Sequence, residues 1–165
     1  MDKRFDRRTK EEFKKDIRKG AKEQSIIINS WLLSVDKDGN RELLVKDNGI
    51  DNSGNFINSP HRVTCDPDYY VEGYGLIEVQ YSNTWCKKYF HIKRNKILAC
   101  IRQDAIILMV NGWGDDHPKC TLITPGQCRV IAARLDLVNW FGGGNKESYR
   151  VPLKYFDWKE LPKNE

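Results

Sequence analysis

The sequence lacks long apolar runs, paired cysteine motifs and, over one internal stretch, acidic residues. The longest uninterrupted apolar segment is AIILMV at 105–110, far short of the roughly 18 residues that span a bilayer. The first residues, MDKRFDRRTKEEFKK, contain no apolar segment typical of a secretory signal. We therefore expect a cytoplasmic protein with no membrane partner.

The cysteines do not form a recognisable framework of disulfides or metal ligands. There are five of them, an odd number, and none has CxxC spacing, so free thiols in a reducing compartment are the simplest interpretation. A zinc site built from His117, Cys120 and Cys128 remains an alternative, although structural zinc sites usually have tighter ligand pairs.

The length of 165 residues and a hydrophobic content of 39% indicate one folded domain. We predict a single α/β domain over 1–165 with a mixed central sheet flanked by helices, comprising a core at about 9–124 and a β/α extension at 125–165. In chain order, the predicted elements are a helix over 9–32 with a break near Gly20 or Ser25, short strands at 41–45 and around Phe56, a hairpin of 68–71 and 76–81, a helix over 93–103, a buried strand over 105–110, a strand over 119–124, a helix over 126–136, a strand over 149–153 and a short helix over 155–161.

The hairpin in DPDYYVEGYGLIEVQ, residues 66–80, carries the residues with the clearest chemical interest. Strand alternation places Glu78 and Gln80 on one face and their apolar neighbours on the other. With a three-residue turn, Asp68 lies directly opposite Glu78, with Cβ atoms roughly 4.5–5.5 Å apart. Two carboxylates so close repel each other unless one is protonated or a cation lies between them. Mg²⁺ or Mn²⁺ fits such oxygen ligands, and Asp66 is a rival to Asp68.

A basic stretch without acids follows the hairpin. Between Glu78 and Asp104 there are six Lys or Arg residues and no Asp or Glu, as expected of a surface that binds a polyanion. The basic residues expected to contact DNA, two of which lie near the C-terminus, are Lys87, Lys88, Lys93, Arg94, Lys96, Lys146 and Arg150.

The pair PD at 67–68 followed by IEVQ at 77–80 resembles the motif of the PD-(D/E)XK nuclease superfamily. The order helix, hairpin, helix, strand over roughly 9–124 is similar to the core of that superfamily. The resemblance implies a restriction-endonuclease-like fold in which Asp68, Glu78 and the Val79 carbonyl bind Mg²⁺. It also implies an additional acid from the first helix, for which the candidates are Glu11, Glu12 and Glu23.

The departure from the motif is Gln80, where the superfamily usually has Lys. Glutamine cannot act as a base or supply positive charge, but it can orient a water, and some restriction and homing nucleases of this superfamily carry Gln here. Lys93 is the candidate for the missing charge. The resemblance implies a site-specific endonuclease of double-stranded DNA, homing or restriction-like, that acts as a homodimer or homotetramer. The alternatives are a structure-specific repair or junction nuclease and a DNA-binding module without catalysis.

Overall fold

A computed structural model describes residues 9–36, 45–48, 66–139 and 147–163. The first helix begins at an N-terminal capping box. The Glu12 N–H donates to Thr9 Oγ1 at 3.2 Å, while the Thr9 N–H donates to Glu12 Oε2 at 2.7 Å, which satisfies two backbone donors of the first turn. The helix α1 then runs without interruption over Lys10–Val35. The break predicted near Gly20 or Ser25 is wrong.

A mixed sheet of six strands forms the centre of the domain, with the order β1-β2-β3-β5-β6-β9. Strands β3 and β5 are parallel, and the other neighbours in this sheet are antiparallel. The predictions of an α/β domain with a mixed sheet and of the hairpin are therefore confirmed. The strands of this sheet are β1 (Val45–Asp47), β2 (Tyr69–Val71), β3 (Gly75–Ser82), β5 (Ile106–Asn111), β6 (Lys119–Ile123) and β9 (Lys159–Glu160).

Helices cover both faces of this sheet. The helix α1 packs Ile28 and Trp31 against a cluster that includes Val79 and Leu108. On the opposite face, the neighbouring residue Ile107 belongs to a cluster beneath the other two helices of the described chain. Those helices are α2 (Arg94–Gln103) and α3 (Pro125–Arg134). The continuous apolar run of β5 follows from this burial on both faces.

A second sheet of three strands, with the order β4-β8-β7, was not predicted. Its strands are β4 (Tyr89–Lys93), β7 (Leu137–Asn139) and β8 (Glu147–Pro152). Lys93 ends β4 and is also the N-cap of α2, so the predicted start of the helix over 93–103 is within one residue of the observed start. The alternation of buried and exposed residues along β4 shows that packing of Phe90 and Ile92 determines its conformation.

The C-terminal segment also differs from the prediction. The expected helix over 155–161 is replaced by a short 3₁₀ helix, Leu153–Tyr155, and by β9, which pairs with β6. The backbone N–H of Leu161 donates to the Pro118 carbonyl at 2.9 Å, and the Leu161 side chain is buried. This tertiary pairing outweighs the local preference for helix. Of the strand predicted at 41–45, Val45 begins β1 and the other residues lie outside the described residues, as does the strand predicted around Phe56.

Candidate functional site

The candidate site lies where β2 and β3 part. Strand β2 begins at Tyr69, opposite Ile77, whereas β3 continues to Ser82. The edge of β3 beyond Ile77 therefore has no β2 residue to complete the ladder. Because buried peptide groups need hydrogen-bond partners, the N–H and C=O of Val79 at this edge are satisfied by side chains instead.

Asp68 takes one of those positions. Its side chain is buried, and its Oδ2 accepts the Val79 N–H at 2.8 Å. Continuing the register of β2 and β3 by one residue places Asp68 opposite Glu78, as the sequence predicted. The carboxylate thus replaces the next backbone partner in the ladder beside β3.

Glu78 is more deeply buried, with 1% of its surface exposed. Its Oε1 accepts from Lys96 Nζ at 2.8 Å and from Gln80 Nε2 at 2.7 Å. Burial raises the pKa of the Glu78 carboxyl, and the charges of Lys96 and Lys93 together with the hydrogen bonds from Lys96 and Gln80 oppose that shift. The net direction is upward, so the folded environment binds a proton on Glu78 more tightly than water does, and an additional positive charge beside the carboxylate would oppose this shift.

Gln24 is a member of this site that sequence reasoning missed. Its Nε2 lies 3.3 Å from Asp68 Oδ2 and 3.2 Å from the Val79 carbonyl oxygen, so it joins α1 to both strands of the hairpin. The signal was present in the helical spacing, because residues 24, 28 and 31 lie on one face of a helix, and Ile28 and Trp31 are buried against the sheet.

The three acids predicted from α1 are placed elsewhere. Glu12 caps the helix, and Glu11 accepts from Lys14 at 3.4 Å. At 1.5 Å of rise per residue, Glu12 is about 18 Å along the helix from Gln24. Glu23 is adjacent in sequence but turns away and accepts from the Trp113 indole N–H at 2.7 Å. The structure thus brings an amide, and none of these acids, to the carboxylate pair.

Lys96, and not Lys93, makes the direct contact with Glu78. Lys96 was predicted as a DNA contact, but on α2 its ammonium points to the buried carboxylate and only 23% of its side chain is exposed. The charge of Lys93, an exposed residue, also acts on Glu78. Positive charge therefore reaches Glu78 from Lys93, as the sequence predicts, and also from Lys96 one helical turn later.

The other candidates are distributed around this centre. Asp66 accepts from Gln103 Nε2 at 3.2 Å and stands apart from the carboxylate pair. Arg94 forms an exposed ion pair with Glu147 at 2.7 Å. The basic residues Lys87, Lys88 and Arg150 are exposed, whereas Lys146 lies outside the described residues.

The zinc alternative does not fit the fold, because its two cysteines lie on opposite faces of the central sheet. Cys120 belongs to the α1 side of the core and Cys128 to the side of α2 and α3. Burial also raises the pKa of both thiols, to about 11 in each case, which disfavours the thiolate that zinc requires.

The oxygens at the hairpin suit a hard divalent cation. Within the described residues, no three His, Cys, Asp or Glu side chains form a group able to hold a metal. Mg²⁺ does not need a group of three such side chains, since it is commonly bound by one or two carboxylates together with waters and substrate phosphates. Asp68, Glu78 and the Val79 carbonyl supply three oxygens. The amide groups of Gln24 and Gln80 that now donate to these oxygens can also rotate to present their own oxygen.

Comparisons with family models, curated proteins and solved structures gave no match to this chain. None of the helices in the described part of the chain is long and apolar enough to cross a membrane. The chemistry of the hairpin is therefore the basis for proposing a function of this protein.

Proposed function

We propose that this protein is a metal-dependent endonuclease of double-stranded DNA, of the PD-(D/E)XK type. The observation that carries the proposal is the burial of two carboxylates, Asp68 and Glu78, at opposite positions of the hairpin where β2 and β3 separate, with Asp68 bound to the Val79 N–H. Burying two carboxylates side by side is costly unless a cation or a set of donors compensates. A protein that needed only a stable hairpin would gain more from apolar residues here.

The element order supports the same assignment. The helix α1, the hairpin β2–β3, the helix α2 and the parallel strand β5 follow one another as in the restriction-endonuclease-like core. The two carboxylates lie on the hairpin and Lys96 lies on α2, and these elements bring Lys96 into contact with Glu78.

In this proposal, Asp68, Glu78 and the Val79 carbonyl hold Mg²⁺ or Mn²⁺. When bound, the cation supplies Lewis-acid stabilisation of the charge that develops on the phosphate. Gln80 orients the attacking water, since its amide already lies 2.7 Å from Glu78. Lys96 contributes the positive charge that Gln80 cannot, because its ammonium lies within hydrogen-bond distance of the same carboxylate.

The proposal also includes a DNA partner, a cytoplasmic location and a homo-oligomeric assembly. Exposed Lys87, Lys88 and Lys93 flank the site and are suited to phosphate groups. A site-specific enzyme that cuts both strands requires two sites, which a homodimer or homotetramer in the cytoplasm would supply.

The test is cleavage of supercoiled plasmid and long linear DNA with Mg²⁺, with Mn²⁺ and with EDTA. Wild type is compared with Glu78→Gln and with the matched control Glu72→Gln, which changes an exposed glutamate on the turn of the same hairpin. We expect metal-dependent cutting by wild type and by the control, and a loss of at least 100-fold in Glu78→Gln. Equal cutting by both variants would refute the site.

A DNA-binding module without catalysis is the second candidate. It is favoured by the two glutamine amides, Gln24 and Gln80, which occupy positions where acidic or basic groups would be more effective. This candidate predicts salt-sensitive DNA binding that EDTA leaves unchanged. A nuclease specific for branched DNA would instead cut a four-way junction while sparing linear duplex.

A further inference from the structure

One face of the small three-stranded sheet carries side chains suited to nucleic acid, of which Tyr89, Lys93 and Arg150 are exposed and His91 is half-buried. On β4, Phe90 and Ile92 point into the core, so the alternating residues Tyr89, His91 and Lys93 point outward. On the neighbouring strand β8, Arg150 is paired directly opposite His91 and points to the same side. We call these four residues the outer face of the small sheet.

Two of these residues are held in a defined arrangement. The guanidinium carbon of Arg150 lies 5.0 Å from the centre of the Tyr89 ring, a cation–π distance. This contact restrains the guanidinium of Arg150 beside the Tyr89 ring. A restrained, planar set of donors is what bidentate recognition of a guanine edge requires.

His91 differs from its basic neighbours because it is expected to be neutral. Burial, together with the charge of Arg150, lowers the pKa of His91 below its ordinary value of 6.5. A neutral imidazole offers one donor and one acceptor, which suits a base edge better than a phosphate. This direction agrees with the geometry, in which the ring lies between two basic side chains on the same face.

The outer face leads directly to the candidate active site. Lys93 belongs to this face, and its charge acts on Glu78. From Lys93 to Tyr89 the strand extends about 13 Å, which corresponds to about four base pairs along a duplex. The face is therefore close enough to contact bases on one side of a scissile phosphate.

The charge of this region matches a polyanion. Residues 79–103 contain no acid, and exposed Lys87 and Lys88 immediately precede β4. The acid that begins β8, Glu147, is paired with Arg94. Strands can enter the major groove, which is about 12 Å wide.

We propose that the outer face of the small sheet enters the major groove of duplex DNA, where Arg150 and His91 read base edges while Lys87 and Lys88 contact phosphates. The inference rests on the proposed nuclease function and adds the source of its sequence preference. Arg150, Tyr89 and His91 are specificity-determining residues in this view, and they take no part in the hydrolysis.

The test uses a pool of DNA duplexes with a randomised central region, incubated with Mg²⁺, followed by sequencing of the cut ends. The variants are Arg150→Lys, which keeps the charge but loses the planar fork, and His91→Ala. The matched control is Arg129→Lys, on the exposed surface of α3. Circular dichroism establishes that each variant is folded.

We expect wild type and Arg129→Lys to prefer the same bases within about four base pairs of the cut. Arg150→Lys should reduce the preference for guanine at one position by roughly ten- to a hundredfold, and His91→Ala should relax a neighbouring position. Identical preferences in wild type and both variants, or cutting by wild type without any base preference, would overturn the inference.

Absence of cutting by wild type would refute the nuclease function but leave this inference open to a separate measurement. The same pool is then selected by binding in a gel-shift assay. A bound motif that Arg150→Lys loses would support base reading by the outer face. Binding without a motif, binding of single-stranded RNA in preference to duplex DNA, or no binding would overturn it.

Discussion

Asp68 has two roles that different substitutions can separate, because it supports the hairpin and supplies an anionic oxygen. In Asp68→Ala, the buried Val79 N–H loses its acceptor at 2.8 Å. Leaving a buried donor unsatisfied costs about 1–3 kcal/mol. The longer contact with Gln24, at 3.3 Å, adds little to this sum. We therefore expect a loss of about 2 kcal/mol in the free energy of unfolding, which for a chain of this size lowers Tm by roughly 4–8 °C.

Asp68→Asn keeps the shape of the side chain and one carbonyl oxygen that can accept the Val79 N–H. Its expected cost is below about 1 kcal/mol, even though the anionic ligand is lost as completely as in the alanine variant. Urea denaturation and thermal unfolding of the two variants, without added metal, measure the structural role. The matched control is Asp116→Asn, which alters an exposed acid in a loop.

Adding Mg²⁺ to the same samples measures the second role. A cation at a concentration 100 times its Kd stabilises the folded state by about 2.7 kcal/mol, so Tm of wild type and of Asp116→Asn should rise by several degrees. Neither Asp68 variant should respond. The reasoning is refuted if Asp68→Ala is as stable as Asp68→Asn in the absence of metal, or if both respond to Mg²⁺ as wild type does.

Three further predictions concern stability. Because the pKa of Glu78 is raised, the folded protein keeps this proton to higher pH than the unfolded chain does, and wild type loses stability as pH rises above about 4.5. Glu78→Gln lacks this loss, so its free energy of unfolding relative to wild type, measured by urea denaturation, should increase between pH 5 and pH 8. A constant difference would contradict the assignment. Ser30 is buried on α1, and its hydroxyl has no hydrogen-bond partner among the described residues, so Ser30→Ala should raise stability by about 1 kcal/mol, and a lower Tm would show that the hydroxyl is needed. The amide of Asn111 accepts from the Cys86 N–H at 2.8 Å and donates to the Cys86 carbonyl at 3.1 Å; Asn111→Ala should cost about 2 kcal/mol, and an unchanged urea midpoint would argue against this bridge.

The parts of the molecule that depend on local sequence were the predictable ones. The capping box at Thr9, the hairpin around Gly73 and the apolar strand β5 each have a signal within a few residues. The pairing of Asp68 with Glu78 followed because the turn fixes the register of a hairpin. These signals were sufficient for the fold class and for the two carboxylates.

The parts that were missed depend on contacts between distant segments. Gln24 joins the site only because α1 packs across β3, 55 residues later in the chain. Lys96 was one of several basic residues until α2 was placed above Glu78. The alternation in YFHIK at 89–93 was a usable strand signal, but three strands and two helices lie between β4 and its partner β8 in the chain.

The unpaired edge of β3 has a consequence for how the protein is made. Gln24 donates to Asp68 and to the Val79 carbonyl, which lie 44 and 55 residues later in the chain. On its other side, β3 is held in place by β5, which ends at Asn111. Such long-range closure is slow compared with forming a helix or a turn. While the chain is being synthesised, the carboxylate pair therefore assembles only after the ribosome has released two thirds of the protein. A shorter nascent chain contains Asp68 and Glu78 but lacks β5, the strand that supports β3, so the arrangement of the two carboxylates depends on residues synthesised well after them.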